Sequence, residues 1–315
     1  MKVDVIIPVY KPDASLFKLM DSLKAQTVPV HNIILMNTEE KYFQQLVAGI
    51  DFHKSYPNVK VYHLSKKEFD HGGTRRRGVR KSDAEVFLMM TQDAMPGDEH
   101  LIEYLLQGLG KENVAVAYAR QLPREDCRPI ERYLRQFNYP ETSGIKSAED
   151  LKDLGIKTYF CSNVCCAYRR DIYEKLGGFI RHTIFNEDMI YAASVIKAGY
   201  RIAYMAEAEV IHSHNYTCKQ QLHRNFDLGV SQAKHPEVFE GVPSEGEGIR
   251  SVKATARYLH KQHLTMQIPY LVLQSASKYM GYLLGKHYRL LPARLVYALS
   301  MNKDYWRRTE RRKAS

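Results

Sequence analysis

The chain has 315 residues, of which 44% are hydrophobic and 26% charged. That is enough apolar material for a substantial core, and it excludes disorder as a global state. A net charge of +11 points to anionic surroundings and leaves nucleic acid, nucleotide phosphates and an acidic membrane surface open.

The first half alternates. Residues 3–9 (VDVIIPV) form a short β-rich run, and residues 15–26 place Leu16, Leu19, Met20 and Leu23 at helical spacing. An apolar run at 32–37 precedes a helix pattern at 40–50, and 59–64 reads as a strand. A short, very basic helix follows at 74–81, then a strand at 84–90, a helix at 98–109 and a strand at 114–120. Strands alternating with helices predict βαβ crossovers and an α/β fold with a mainly parallel sheet. Ligands of such sheets bind outside the carboxyl ends of the strands. Three polar strand ends fall there: Tyr10-Lys11-Pro12, Asn37-Thr38-Glu39 and Thr91-Gln92-Asp93.

The rhythm changes after residue 122. Residues 124–156 are polar, with helical stretches at 130–137 and 148–154. Residues 160–168 read as a strand, followed by a helix that opens at Asp171 and stops at Gly177-Gly178. Residues 186–198 form a helix pattern with Asn186 as its cap, Glu187 and Asp188 at the positive end of its dipole, and Gly199 past its end. A strand pattern at 201–214 ends in His-Ser-His, and 216–231 are helical. Residues 244–248 (SEGEG) read as a linker, 251–301 as helices rich in Lys and Arg, and 305–315 as a basic tail.

The cysteines (Cys127, Cys161, Cys165, Cys166 and Cys218) are odd in number and lack Cys-x-x-Cys spacing, which fits free thiols in a reducing compartment. The N-terminal apolar run is too short for a secretory signal, and no segment has the length of a membrane span. A cytoplasmic protein is expected.

Four groups carry chemistry. Asp93 either opens a turn toward Pro96-Gly97 or holds a divalent cation beside a diphosphate, for which one carboxylate suffices. In HGGTRRRG (71–78), Gly72-Gly73 permits close backbone approach, Thr74 is able to cap a helix, and Arg75–Arg77 add an anion site. The alternative is a solvated basic helix end, and the spacing is not that of a Walker A loop. Glu187-Asp188 either complements the helix dipole or supplies a general base. His212 and His214 would face one side of a strand, where both imidazoles can ligate a metal.

Taken in order, these pieces resemble a family-2 glycosyltransferase. VDVIIPVYKP resembles the family's first strand, TQDAMPGD stands at its acidic metal motif, and FNEDMIYAASVIKAGYRIAY resembles its catalytic segment. FDHGGTRRRG, TQDA and HSHNYTCKQQLHRNFDLGV resemble the bacterial rhamnosyltransferase branch, which builds O-antigens and capsules. The resemblance implies a GT-A fold over 1–242, with a nucleotide-binding half at about 1–122 and an acceptor half at about 123–242, and leaves 250–315 as a basic helical extension. It implies inverting transfer of a sugar, rhamnose from dTDP-rhamnose, to a hydroxyl of a lipid-linked surface polysaccharide intermediate. Galactose or N-acetylglucosamine is the alternative sugar. By resemblance Asp188 is the base, and Asp93 with His212 or His214 holds Mg²⁺ or Mn²⁺. Pro8, Tyr10 and Asn37 line the base and ribose, and Thr74, Arg75 and Gln92 belong to the donor side. The sequence departs from the family's pattern at the single Asp of Gln92-Asp93, at Asn37 and at Arg76.

A nucleic-acid-binding protein is the rival class, but zinc-finger spacing, an RNP-like aromatic pattern and a helix-turn-helix are all missing. A catalytically dead scaffold is disfavoured by Asp93 and Asp188. For 250–315, two expectations compete. The segment lies on an anionic leaflet, making the protein peripheral at the inner face of the membrane, or it packs on the catalytic domain or forms a homo-oligomer contact.

Overall fold

The computed structural model describes residues 1–242 and 245–314. The first half follows the expected alternation: β1 (Val3–Tyr10), α1 (Ser15–Lys24), β2 (Asn32–Thr38), α2 (Glu40–Val47), one-turn α3 (Phe52–Ser55), β3 (Val59–Leu64), α4 (His71–Val79) and β4 (Val86–Met90). Then come a two-residue β5 (Met95–Pro96), α5 (Leu101–Leu109), β6 (Val114–Leu122), α6 (Pro129–Asn138), β7 (Gly144–Lys146) and one-turn α7 (Leu151–Leu154). The chain continues through β8 (Cys165–Arg169), α8 (Arg170–Lys175), α9 (Glu187–Lys197), β9 (Arg201–Ile211), α10 (Cys218–Lys234) and one-turn α11 (Pro236–Phe239). It ends in α12 (Glu245–Lys261), α13 (Ile268–Lys286), α14 (Ala293–Leu299) and α15 (Lys303–Ala314).

Among the described residues the strands make one nine-stranded sheet in the order β3-β2-β1-β4-β8-β6-β9-β5, with β7 on the far edge of β9. β3, β2, β1 and β4 are parallel, as the alternation predicts. The rest is mixed: β8 runs antiparallel to both β4 and β6, whereas β6 and β9 are parallel. Central strands are covered on both faces, so they read as unbroken apolar runs. In β1 the odd residues Val3, Val5, Ile7 and Val9 join Leu16, Leu19 and Leu105 on one face, while Ile6 joins Met36, Phe87 and Tyr191 on the other.

Several boundaries move, each for a local reason. The basic helix starts at His71, not Thr74, because Asp70 is its cap: Asp70 Oδ1 accepts from the Gly73 amide at 2.9 Å. The Gly72-Gly73 pair then sits in the first turn, where a Cβ on Gly72 would run into the Ile180 carbonyl. The close approach these glycines permit is to the chain entering α9. The strand expected at 160–168 is confined to Cys165–Arg169. The 201–214 strand ends at Ile211, so the histidines lie just beyond it. Residues 245–248 of the expected linker open α12, while Ser244 lies outside the described residues. The basic tail continues as helix α15.

The C-terminal helices are joined closely to the preceding fold. On α13, a Cβ at Gly281 would strike the Leu222 carbonyl and one at Gly285 the Phe226 carbonyl, both on α10; Gly229 of α10 meets the Tyr282 carbonyl in the same way. This is small-residue helix contact, with backbones close enough that only glycine fits. Tyr305 of α15 is buried with Ile184, Phe226 and Val230, and its ring stacks on His182 at 4.6 Å.

Candidate active site

β5 pairs antiparallel with the end of β9, Met95 opposite Ile211. Two residues back on one chain and one residue forward on the other, Asp93 therefore meets His212. Asp93 Oδ2 lies 3.6 Å from His212 Nε2 and 3.3 Å from His214 Nε2, and one donor atom from each of the three residues falls within 4.8 Å of the others. Asp93 is a turn residue and a cluster member at once. Burial acts to raise its carboxyl, but His212 above all, with a hydrogen bond from the Thr91 side chain, holds it well below the usual carboxylate range. Burial and the adjacent His212 pull His214 down to about 4, so at neutral pH it is uncharged and its lone pair is available.

The tautomer of His212 follows from its neighbour. Gln121 Nε2 donates to Tyr139 at 2.5 Å and to Ser162 at 3.0 Å, and Arg135 donates to Gln121 Oε1 at 2.5 Å. Those partners orient the amide so that its oxygen faces His212 Nδ1 at 3.0 Å. Nδ1 carries a proton, and Nε2 is the nitrogen that faces Asp93, as its hydrogen-bond donor or, when a cation is bound, with its lone pair free for the metal. One oxygen and two imidazole nitrogens suit a divalent cation.

The second centre is the start of α9. Asn186 occupies the cap position with φ 60°, but its side chain caps nothing. The acids that follow have separate fates. Glu187 is buried and pairs with Arg75 Nη1 at 3.1 Å, while Asn163 Nδ2 donates to it at 3.1 Å. Burial would raise Glu187, but the Arg75 charge outweighs it and keeps the carboxyl ionised. Asp188 is half-buried, with Oδ2 accepting from the Asn163 amide at 3.2 Å and Oδ1 from the Met189 amide at 2.8 Å. Burial, with the Glu187 charge added, pushes Asp188 up to about 6. A carboxylate with that affinity can take a proton near neutral pH. Asn163 also links the two centres, because the carbonyl of the next residue, Val164, accepts from the Thr91 amide at 3.2 Å, two residues before Asp93.

The donor-side residues are distributed unevenly. Pro8 is half-buried in β1, and Tyr10 is exposed, edge-on to Tyr42 at 5.8 Å. Asn37 is buried, Nδ2 facing His63 at 2.9 Å while its Oδ1 lacks a protein partner. Gln92 accepts from the Tyr10 amide at 2.9 Å and donates to the Tyr10 carbonyl at 3.1 Å, which ties the ends of β1 and β4 together. Thr74 is buried, its hydroxyl accepting from the Asp70 amide and its own amide spent on the Asp70 carbonyl. Thr74 therefore lies inside the helix and does not cap it; the cap is Asp70. Arg75 is also buried, bonded to the His71 carbonyl at 3.1 Å and to Glu187. Gln121, Asn163 and Arg135 escaped sequence reasoning, since nothing in their local pattern marks them.

The mixed sheet with its flanking helices is a GT-A fold, the fold of a class of glycosyltransferases. Residues 4–177 match the family described as Glycosyl transferase family 2. The chain is 39% identical over 310 residues to the O-antigen chain rhamnosyltransferase RfbN of Salmonella typhimurium, covering 97% of this chain and 96% of that protein. It is likewise 39% identical to the O-antigen chain rhamnosyltransferase WbaN of Salmonella anatum, covering 96% and 95%. Among solved structures, the mannosyltransferase PcManGT of Pyrobaculum calidifontis, in complex with GDP-Man and Mn²⁺, superposes with a TM-score of 0.55 at 14% identity, covering 96% of this chain and 84% of that one. TarS 1–349 of S. aureus, in complex with UDP-GlcNAc, gives 0.53 at 14% identity, covering 92% of each. The chain belongs to glycosyltransferase family 2.

Proposed function

We propose that this enzyme transfers rhamnose, with inversion, from dTDP-rhamnose to a hydroxyl of a lipid-linked O-antigen or related polysaccharide intermediate at the inner face of the membrane. The observation that carries the sugar assignment is the 39% identity to two O-antigen chain rhamnosyltransferases along almost the whole chain. We assign residues 1–122 to the donor, 123–242 to the acceptor and 250–315 to a helical extension.

In this reading Asp93, His212 and His214 hold a divalent cation, Mn²⁺ or Mg²⁺. When bound, it supplies positive charge to the departing diphosphate. Asp188 accepts the proton of the acceptor hydroxyl as its oxygen bonds to the anomeric carbon. The bond from that carbon to the diphosphate oxygen breaks with its electron pair, releasing the nucleoside diphosphate from the opposite face. Glu187 raises the proton affinity of Asp188, and Arg75 keeps Glu187 ionised. Arg75 and Thr74 therefore act from beneath the donor pocket. Pro8, Tyr10 and Asn37 line the nucleoside; the Asn37 oxygen that lacks a protein partner suits a base N–H. Gln92 fixes the Tyr10 backbone that this side needs.

A donor panel tests the assignment. Nucleoside diphosphate release with dTDP-rhamnose should exceed that with UDP-galactose or UDP-N-acetylglucosamine by about a hundredfold or more, as expected where a site's polar groups are left unpaired by the wrong sugar. Preference for either of the other donors would keep the chemistry and overturn the sugar.

A further inference from the structure

Helix α13 has apolar residues around most of its circumference. One side carries Gly281, Gly285 and Gln274 against α10, and it is buried. The opposite side, at i, i+1, i+4, i+7 and i+8 spacing, carries Val272, Leu273, Ala276, Tyr279 and Met280, all exposed; Val272 and Leu273 are each 57% exposed. Met266 (90%) before the helix and Leu290 (82%) after it are exposed as well. A helix that is apolar on both sides belongs in a core or against lipid, and here only one side has a core. Among the described residues no helix is long and apolar enough to cross a membrane.

Charge decides what covers the outer side. Residues 248–303 contain nine Lys and Arg and no Asp or Glu. Lys286 and His287 close the exposed strip, and Arg289 and Arg294 follow, all exposed. A second copy of this chain would bring the same exposed positive rim, Lys286, Arg289 and Arg294, against it, which opposes self-association. An anionic lipid surface supplies both an apolar layer and the opposite charge.

We infer that the outer face of α13 is a docking surface for an anionic phospholipid leaflet, with Val272, Leu273 and Met280 seated at the acyl boundary and the basic residues at the headgroups. The inference rests on the lipid-linked acceptor of the proposed function and adds the surface that meets the lipid. It also explains the close glycine contacts. Gln274, on the buried side, donates to the Tyr216 carbonyl at 3.5 Å, and the Tyr216 ring lies 5.0 Å from that of His214. The leaflet and His214 are then separated by the width of α13, about 10–12 Å, and by the Tyr216 side chain. A rigid α10–α13 pair holds that separation fixed. On the tail helix α15, Tyr305 is instead buried against the catalytic fold.

The test is flotation of the full chain with vesicles of phosphatidylcholine alone or mixed with phosphatidylglycerol. Binding should require phosphatidylglycerol and weaken with salt. Val272→Glu combined with Met280→Glu should lower it about a hundredfold, since two seated apolar side chains are lost, while donor turnover with a water-soluble acceptor stays unchanged. Val272→Ser with Met280→Ser, a milder pair, should weaken binding in the same direction if the first pair perturbs folding. Equal binding by both paired variants, or no binding of the parent protein to either vesicle, overturns the inference. So does a parent dimer that the substitutions convert to monomer, which would assign the face to a second copy. Flotation does not depend on the donor sugar, so failure in the donor panel leaves this result standing, and the reverse holds.

Discussion

Gln121 Oε1 stands 3.0 Å from His212 Nδ1, on the side of the ring away from Asp93. The amide therefore fixes which imidazole nitrogen is free. Partners of this kind around metal-binding histidines are worth about 10–100-fold in metal affinity. Gln121→Leu should raise the Mn²⁺ concentration needed for half-maximal activity by that factor, with turnover restored at saturating Mn²⁺. An unchanged Mn²⁺ requirement would show that the amide does not orient the ligand.

Asp188 is the proposed base, so activity should fall as pH drops through its raised affinity. Protonation removes the acceptor form, and burial with Glu187 places that transition at about 6. The rate is expected to be full above pH 7 and to decline below pH 6. Asp188→Asn keeps the shape and should reduce turnover by about a hundredfold or more while leaving nucleotide binding intact. Nearly unchanged turnover would return Asp188 to a helix-dipole role.

Glu187→Gln separates electrostatics from stability. Removing the charge that raises Asp188 should move the acidic limb of the pH profile to lower pH. The same change leaves Arg75 buried without its carboxylate, at a cost of about 3–5 kcal/mol, visible as a lower Tm and denaturant midpoint. A shifted limb without destabilisation, or the reverse, would break the coupling drawn between Arg75, Glu187 and Asp188.

Gly285→Val would force a side chain into the Phe226 carbonyl. Overpacking of this kind costs about 1–3 kcal/mol, and the α10–α13 pair should separate first. Hydrogen exchange should rise along both helices while β1, β2 and β4 stay protected. Uniform protection would show that the close contact is not needed.

What could be read in the sequence depends on how local the signal is. β4 is an unbroken apolar run and β1 and β2 are largely apolar, so their polar ends are legible, and Asp93, His212 and His214 can be singled out one by one. That they meet depends on the β5–β9 pairing, and two residues of strand leave almost no pattern. Arg75 looked like an anion ligand because its partner, Glu187, lies far along the chain; only the fold shows the guanidinium turned inward. Gly72-Gly73 reads as a loop in the sequence, yet the pair opens α4, because Ile180 packs against it. The strand expected from 160 starts late because 161–163 are used otherwise: Cys161 donates to the Asp188 carbonyl, and Asn163 holds both acids. In the C-terminal third, the helices were legible from periodicity. The difference between the two sides of α13 was not, since both are apolar.

The most direct measurement is dTDP release from dTDP-rhamnose in the presence of a polysaccharide acceptor, made with Mn²⁺, in EDTA, and with Asp93→Ala in Mn²⁺. The account predicts rapid release only by the parent protein with Mn²⁺, with Asp93→Ala still folded. Full activity of Asp93→Ala, or of the parent protein in EDTA, would contradict it.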